Sequence, residues 1–312
     1  MPELPEVQTT VDGLNRKVIG AKIIDVWSIY NSPYYKSKEN IKDPVFFTEF
    51  KKRIISATIK GAERRAKNIL IHLNNNETIL IHMKMTGHLM FGEYVKSGSN
   101  KNDPWKPEDK TNKALNDSFN SHIRLVFNLQ NKQGKTKHLV LSDTRKFAKV
   151  TVIKSDKIYH SPDLSHLGPE PLTKEFNFEI FKKQISKKPK GKIKTVLLDQ
   201  TIIAGIGNIY SDEALWLSGI HPESVVNNIP LSALKKLFES TLIVLRNGID
   251  FGGDSMSDYR NIDGEKGLFQ ERHNVYRKLG QKCLKKHCGG TIKRIVVGGR
   301  SAHYCDKHQT KY

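Results

Sequence analysis

The sequence predicts an α+β protein in three pieces: an N-terminal antiparallel β-sandwich with a flanking N-terminal helix, a helical domain, and a short C-terminal module. Three observations carry that reading. Short β-branched runs separated by polar turns fill the first half, helically spaced apolar residues fill much of the second, and all three cysteines lie at the C-terminal end. Short strands joined by tight turns argue a sandwich or barrel rather than a βαβ sheet.

The elements follow in order. Val7, Val11, Leu14 and Val18 fall on one helical face, and Gly20 reads as a helix stop. KIIDVWSIY, RIISATIK, NILIHL, TILIHMKM, HLMFGEYV, IRLVFNL, KHLVLSD and AKVTVIK read as strands, several separated by turns such as NNNE and NKQG. Residues 95–121 are polar, interrupt the series and read as a mobile surface loop. The expected sandwich domain covers 1–160, and the proline-bearing stretch 161–175 reads as a linker. LLDQTIIAGIGNIYSDEALWLSGIHPE then reads as helix, glycine turn, helix, and LSALKKLFESTLIVLRNG as an amphipathic helix closed by Asn247 and Gly248. These give a helical domain over 176–278 and a small module over 279–312.

The chain has 312 residues and a formal net charge of +20. Such an excess attracts polyanions, nucleic acid first and an anionic membrane second. No apolar run is long enough to span a membrane, and the start lacks a signal-peptide pattern. With 3 cysteines, an odd count, no disulfide framework is expected, and the chain reads as intracellular and soluble.

In the last module Cys283 and Cys288 precede a strand-like TIKRIVV, and Cys305 and His308 follow it. Pairs of soft ligands on two turns of a hairpin make a tetrahedral zinc site, so the module reads as a zinc ribbon with one structural Zn2+. His287 is the alternative to Cys283 as first ligand. Lys282, Lys285, Lys286, Lys293, Arg294, Arg300, Lys307 and Lys311 face a single acid, Asp306, which suits a nucleic-acid clamp.

AGIGN at 204–208 has no third glycine at 210 and no preceding strand, so it is not a dinucleotide motif. Gly205 and Gly207 allow close backbone approach, and Asn208 is placed to cap a helix whose amides face a phosphate. The lysine-rich KKQISKKPKGKIK lies just upstream. A plain helix–helix turn with a solvated lysine face is the alternative.

The chain opens MPELPE. Pro2 is small enough that loss of Met1 is expected. A carbonyl carbon of a damaged sugar needs an uncharged amine, and an α-amine titrates near about 7.7–8.0 against about 10.4 for lysine. The imine of a secondary amine stays cationic and promotes elimination at the neighbouring carbon. Glu3 is placed to exchange protons with the sugar oxygen. A plain helix-start proline is the alternative.

On PELPEV at 2–7, RRAK at 64–67, HMKMTG at 82–87, DTRKF at 143–147, HLGPEPL at 166–172, LLDQTIIAGIGNIYSDEAL at 197–215 and GGR at 298–300, the chain resembles the Fpg/Nei family of DNA glycosylases end to end. The resemblance implies a monomeric, bifunctional base-excision enzyme for oxidised bases in duplex DNA, with a helix–two-turn–helix element in its helical domain. It makes Pro2 the Schiff-base nucleophile, Glu3 the acid/base partner, Lys67 a phosphate contact that assists proton transfer, and Arg300 the grip on phosphates flanking the lesion. It assigns DNA contacts to His82, His122, Lys190, Lys194 and Asn208, and makes Met85, Arg145 and Phe147 the trio that fills the gap left by a flipped base. His308 stands where the family usually has cysteine, the first ligand spacing is longer, Lys84 replaces a usual glycine, Asn120 replaces a common histidine, and the 95–121 loop is longer. PELPE favours the purine-repair branch over an endonuclease VIII-like pyrimidine branch. A catalytically silent DNA-binding relative and a purely hydrolytic glycosylase are the rival readings.

Overall fold

A computed structural model of the chain describes residues 1–97 and 103–312. The chain divides into two compact units. One holds Met1–Ser165 with Phe251–Leu268, the other His166–Asp250 with Phe269–Tyr312.

The first unit begins with α1 (Leu4–Lys17), which buries Leu4, Val7, Val11 and Leu14 on one face. Glu3 is its N-cap, and Gly20 follows its end with φ of 80°. The strands are β1 (Lys22–Ser28), β2 (Ile59–Arg65), β3 (Asn68–Leu73), β4 (Glu77–His82), β5 (His88–Gly92), β6 (Tyr94–Lys96), β7 (Trp105–Pro107), β8 (Ile123–Gln130), β9 (Thr136–Ser142) and β10 (Lys149–Lys154). Two four-stranded antiparallel sheets result, in the orders β1-β8-β9-β5 and β10-β4-β3-β2. Alternate residues enter the core: Leu125, Phe127 and Leu129 from β8, Ile69, Ile71 and Leu73 from β3, Ile79 and Ile81 from β4, together with the buried face of α1. This is the sandwich with a flanking helix that the strand runs predict.

Two local readings change. RIISATIK is not one strand: its first residues end α2 (Pro44–Ile54), and β2 starts at Ile59. Asp43 caps α2 by accepting from the Val45 amide at 3.2 Å, and Pro44 takes the first turn, where its missing N–H costs nothing. Of the stretch read as a mobile loop, residues 98–102 lie outside the described residues. The rest forms a cover. β6 pairs with β7, and Tyr94, Trp105 and Leu115 pack on Met90, Val126 and Val140, the outer face of the first sheet.

The second unit holds α3 (Phe178–Ile185), α4 (Ile193–Leu198), α5 (Asn208–Ser218), α6 (Leu231–Asp250) and the hairpin of β11 (Ile292–Val297) and β12 (Arg300–Cys305). The predicted stop at Asn247 and Gly248 is passed: α6 runs to Asp250, with Gly248 buried inside it. The stretch 161–175 is not free chain throughout. The Gly168 amide donates to the Gln200 carbonyl at 2.8 Å, and the Ala204 amide to the Pro169 carbonyl at 3.1 Å. A Cβ at Gly168 would stand 2.6 Å from the Ile202 carbonyl oxygen, so only glycine fits there. Residues 251–268, which the sequence groups with the helices, pack with the first unit.

Candidate nucleic-acid interface and active centre

In the first unit the chain start is held by carboxylates. The Glu3 amide donates to Glu6 Oε2 at 2.7 Å, and the Glu3 side chain faces the Glu6 backbone, a capping box built from two glutamates. Pro2, Glu3 and Glu6 are all buried. Glu6 also anchors the returning segment: its Oε1 accepts from the Asp254 amide at 2.7 Å, and its carbonyl accepts from the Tyr259 hydroxyl at 3.1 Å. Sequence reasoning missed Glu6; its place at the third helical position, opposite a capping residue, was the available signal.

The Lys67 turn lies between β2 and β3. Ala66, with φ of 54°, turns the chain and Lys67 is buried beyond it. Arg64 Nε donates to Gln8 Oε1 at 2.9 Å, and Asn15 exchanges two hydrogen bonds with Ala62, so the end of β2 is pinned along α1. His82 pairs in register with Asn68 and Lys149. Burial, and then the charges of Lys84 and Lys67, push His82 down to about 3, and its Nδ1 accepts from the Lys84 amide at 3.0 Å. His82 is therefore neutral at physiological pH, set among cations. Lys84 has φ of 56°, the left-handed region that favours glycine.

Met85 and Phe147 are 40% and 47% exposed, and the Arg145 guanidinium lies 4.5 Å from the Phe147 ring centroid. Large apolar side chains held in solvent suit a wedge better than a core. His122, with φ of 64°, has Nδ1 2.8 Å from the Ser121 hydroxyl. Asn120, by contrast, is buried. Its amide donates to the carbonyls of Ala114 and Gly264 and its oxygen lies 2.9 Å from His88 Nε2, so it ties the cover segment to the returning chain.

In the second unit, Gly205 has φ of 91°, which glycine alone adopts freely. Gln200 holds the turn by accepting from the Gly205 amide at 2.9 Å and donating to the Ile206 carbonyl at 2.8 Å. Gly207, not Asn208, is the N-cap of α5; Asn208 is the first helical residue, and its side-chain oxygen has no hydrogen-bond partner among the described residues. Lys190 is exposed in the lysine-rich stretch. Lys194 is not. It is fully buried, ion-paired to Asp212, and also donates to the Asn208 carbonyl at 3.3 Å and Ser211 Oγ at 3.2 Å. With its ammonium enclosed, Lys194 holds the start of α5 and presents no charge to solvent. The other oxygen of Asp212 accepts from the His303 amide and faces His303 Nδ1, both at 3.0 Å. α5 and β12 are thereby tied, and Arg300 lies exposed at the start of β12. Gly298, at the turn before β12, lies close against α4: a Cβ there would meet Thr195 Cγ2 at 2.4 Å.

The donor atoms of Cys283, Cys288, Cys305 and His308 all lie within 4.8 Å of one another. His287 sits at a turn with φ of 60°, outside the cluster. Three sulfurs and a nitrogen at that spacing fit one tetrahedral zinc. His308 Nε2 lies 2.9 Å from the Trp216 carbonyl, which takes the ring proton there and leaves Nδ1, the nitrogen facing the sulfurs, as the ligand. The Trp216 indole donates to Cys283 Sγ at 3.3 Å. The set leaves no open coordination position, so the metal has a structural role.

A β-sandwich led by a buried proline, a glycine turn opening a helix and a basic zinc ribbon together define a DNA-handling protein. Comparison narrows the class. The model of the formamidopyrimidine-DNA glycosylase N-terminal domain matches residues 1–150, that of the H2TH domain 167–260, and a zinc finger found in FPG and IleRS 280–307. The formamidopyrimidine-DNA glycosylase of Bartonella henselae is 35% identical over 99% of this chain and 100% of its own length, and that of Lactococcus lactis 32% identical over the whole of both. The Lactococcus lactis Fpg solved with abasic-site DNA superposes with a TM-score of 0.79 at 30% identity, and a point mutant of that enzyme with Fapy-dG-containing DNA at 0.80 and 31%; each match covers 99% of this chain and 100% of the other. The chain belongs to the formamidopyrimidine-DNA glycosylase family.

Proposed function

We propose that the chain is a base-excision repair glycosylase and abasic-site lyase that removes an oxidised purine, of 8-oxoguanine or formamidopyrimidine type, from duplex DNA through an imine on Pro2. The observation that carries the reading is the buried PELPE start, where Glu3 caps α1 beside the proline. Once Met1 is gone, the Pro2 nitrogen attacks C1′ as the bond to the base breaks. Glu3 gives a proton to the ring oxygen as the sugar opens, and the cationic imine then acidifies the neighbouring carbon for β,δ-elimination. Lys67 sits on the turn pinned along α1, suited to a phosphate and to proton transfer. In the second unit Asn208, Lys190 and Arg300 contact the backbone, in a binding mode that falls with salt, and Lys194 supports Asn208 from beneath. His82 and His122 add contacts in the first unit, and Met85, Arg145 and Phe147 enter the gap left by the flipped nucleotide. We assign the sandwich (1–160) to chemistry, the helical segment (176–278, apart from residues 251–268, which pack with the first unit) to backbone grip and the ribbon (279–312) to the clamp. No helix among the described residues is long and apolar enough to cross a membrane; we place the enzyme with the cell's DNA.

Borohydride trapping tests this. Protein lacking Met1, mixed with an 8-oxoguanine duplex and borohydride, is expected to form a covalent complex. Base release without trapping would indicate hydrolysis, and binding without either would indicate a silent relative.

A further inference from the structure

Two loops of the first unit carry the exposed wedge residues. The loop after β4 carries Met85, and the loop after β9 carries Arg145 and Phe147. Each contains a non-glycine residue in the left-handed region, Lys84 and Lys146, both with φ of 56°. Neither loop belongs to a strand pair at these positions, so something else must fix one against the other. That is a buried carboxylate. Asp143 has no exposed surface. Its Oδ1 accepts from Thr86 Oγ1 at 2.7 Å, and its Oδ2 accepts from the Ala148 amide and the Tyr30 hydroxyl, both at 2.8 Å. Thr86 Oγ1 in turn accepts from the Arg145 amide at 3.1 Å. One hydroxyl thus bridges the two loops, donating to one residue of the second and accepting from another. Arg124 Nε donates to the Asp143 carbonyl at 3.2 Å and fixes the backbone from the third side.

We propose that Asp143, acting through the Thr86 hydroxyl, is the positioning residue that holds Met85, Arg145 and Phe147 as one rigid wedge for the gap in the opened duplex. The proposal rests on the functional reading above. It follows from geometry: both loops hang from short connections, the wedge side chains lie in solvent without a core to hold them, and the Thr86 hydroxyl hydrogen-bonds to both Asp143 and Arg145 across the gap between the loops. A wedge must enter a stack of bases as a unit, and a misplacement on the order of 1 Å can cost about 100-fold in rate. Asp143 and Thr86 themselves need touch neither sugar nor base.

The test uses the full chain and an 8-oxoguanine duplex with 2-aminopurine beside the lesion, whose fluorescence rises on unstacking. Thr86→Val keeps the shape and removes the bridge. It is expected to slow the fluorescence rise and base release together by about 10- to 100-fold, by the same positional argument. Thr86→Ser, which keeps the hydroxyl, is expected to restore both to within about threefold of wild type. Tyr30→Phe removes a donor from the Asp143 oxygen that Thr86 does not touch and serves if Thr86→Val does not fold; a several-fold slowing of the rise is expected. Wild-type rates in Thr86→Val or, where that variant is unfolded, in Tyr30→Phe would overturn the proposal. So would equal losses in the Val and Ser variants, since the hydroxyl would then be irrelevant. The functional reading fails separately: a wild type that unstacks the duplex without releasing a base is no glycosylase, yet its fluorescence still decides the role of Thr86.

Discussion

Lys84→Gly should stabilise the protein and, because it removes a cation next to the proposed wedge residue Met85, weaken its hold on DNA. Lys84 has φ of 56°. A side chain in that region costs roughly 1–2 kcal/mol. Glycine removes this strain but adds freedom to the unfolded chain, a cost of about 0.4–1 kcal/mol. The net gain is roughly 0.5–1 kcal/mol, or a rise in Tm of about 1–4 °C for a unit of this size. Charge acts in the same direction. Burial first, and Lys149 second, hold the Lys84 ammonium below the usual lysine range. A depressed folded pKa means that the protonated form is disfavoured by folding, so this part of the gain is present at neutral pH and fades as pH rises into the lysine range. Calorimetry at pH 7 measures the first effect, and the salt dependence of duplex affinity the second: loss of one phosphate contact lowers the slope by about 1. A fall in Tm would refute the strain argument. An unchanged slope would show that Lys84 does not face the duplex.

Other outcomes follow from single contacts. Lys194→Met leaves Asp212 buried without its lysine; stability should fall by about 3–5 kcal/mol in urea titration, with no change in the salt slope of DNA binding. Arg300→Ala should do the reverse, lowering the slope by about 1 at nearly constant stability. His88, fully buried, is pushed down to about 4 by burial. It stays neutral in the fold while its unfolded counterpart protonates below about 6.5, so stability falls as pH drops from 6.5 towards 4, by up to about 1.4 kcal/mol per pH unit. A urea midpoint that is flat between about pH 6.5 and 4.5 would sink this. Cys283→Ser should lose zinc by metal analysis while His287→Ala keeps it; the opposite pattern would move the ligand to His287.

Much of the fold was legible because it repeats. The short, β-branched runs of β3, β4, β8 and β9 and the spacing of Val7, Val11 and Leu14 are local signals. So was the metal set, since cysteines and histidine flank one strand. Less legible was whatever depends on distant partners. α2 hid behind the β-branched tail RIISATIK, although Asp43 and Pro44 marked its start. Seven lysines in 182–194 look alike in sequence, yet Lys194 alone among them is enclosed. Its partner Asp212 lies in another helix. Asp143 reads as an ordinary turn residue until Tyr30 and Thr86 are seen to converge on it. Residues 251–268 return to the first unit through Glu6, a contact spanning most of the chain.

The placement of α5 links the closed metal site to the residues proposed to grip DNA in the second unit. Asp212 fixes β12 through His303. Glu213, the next residue, accepts from the backbone amides of Asn274, Val275 and Tyr276 and so anchors the approach to the ribbon. Trp216, one turn on, meets His308 through its carbonyl and Cys283 through its indole. Asn208 and Arg300 are therefore borne by parts joined at three successive points along one helix. The ribbon contributes little apolar core of its own: its Ile292 and Cys305 pack together with Val275 on Trp216. Metal binding must then supply much of its folding energy. Zinc would act on the proposed backbone grip through α5, without a coordination position for chemistry, while the sandwich core of the first unit is built from its own sheets and helices.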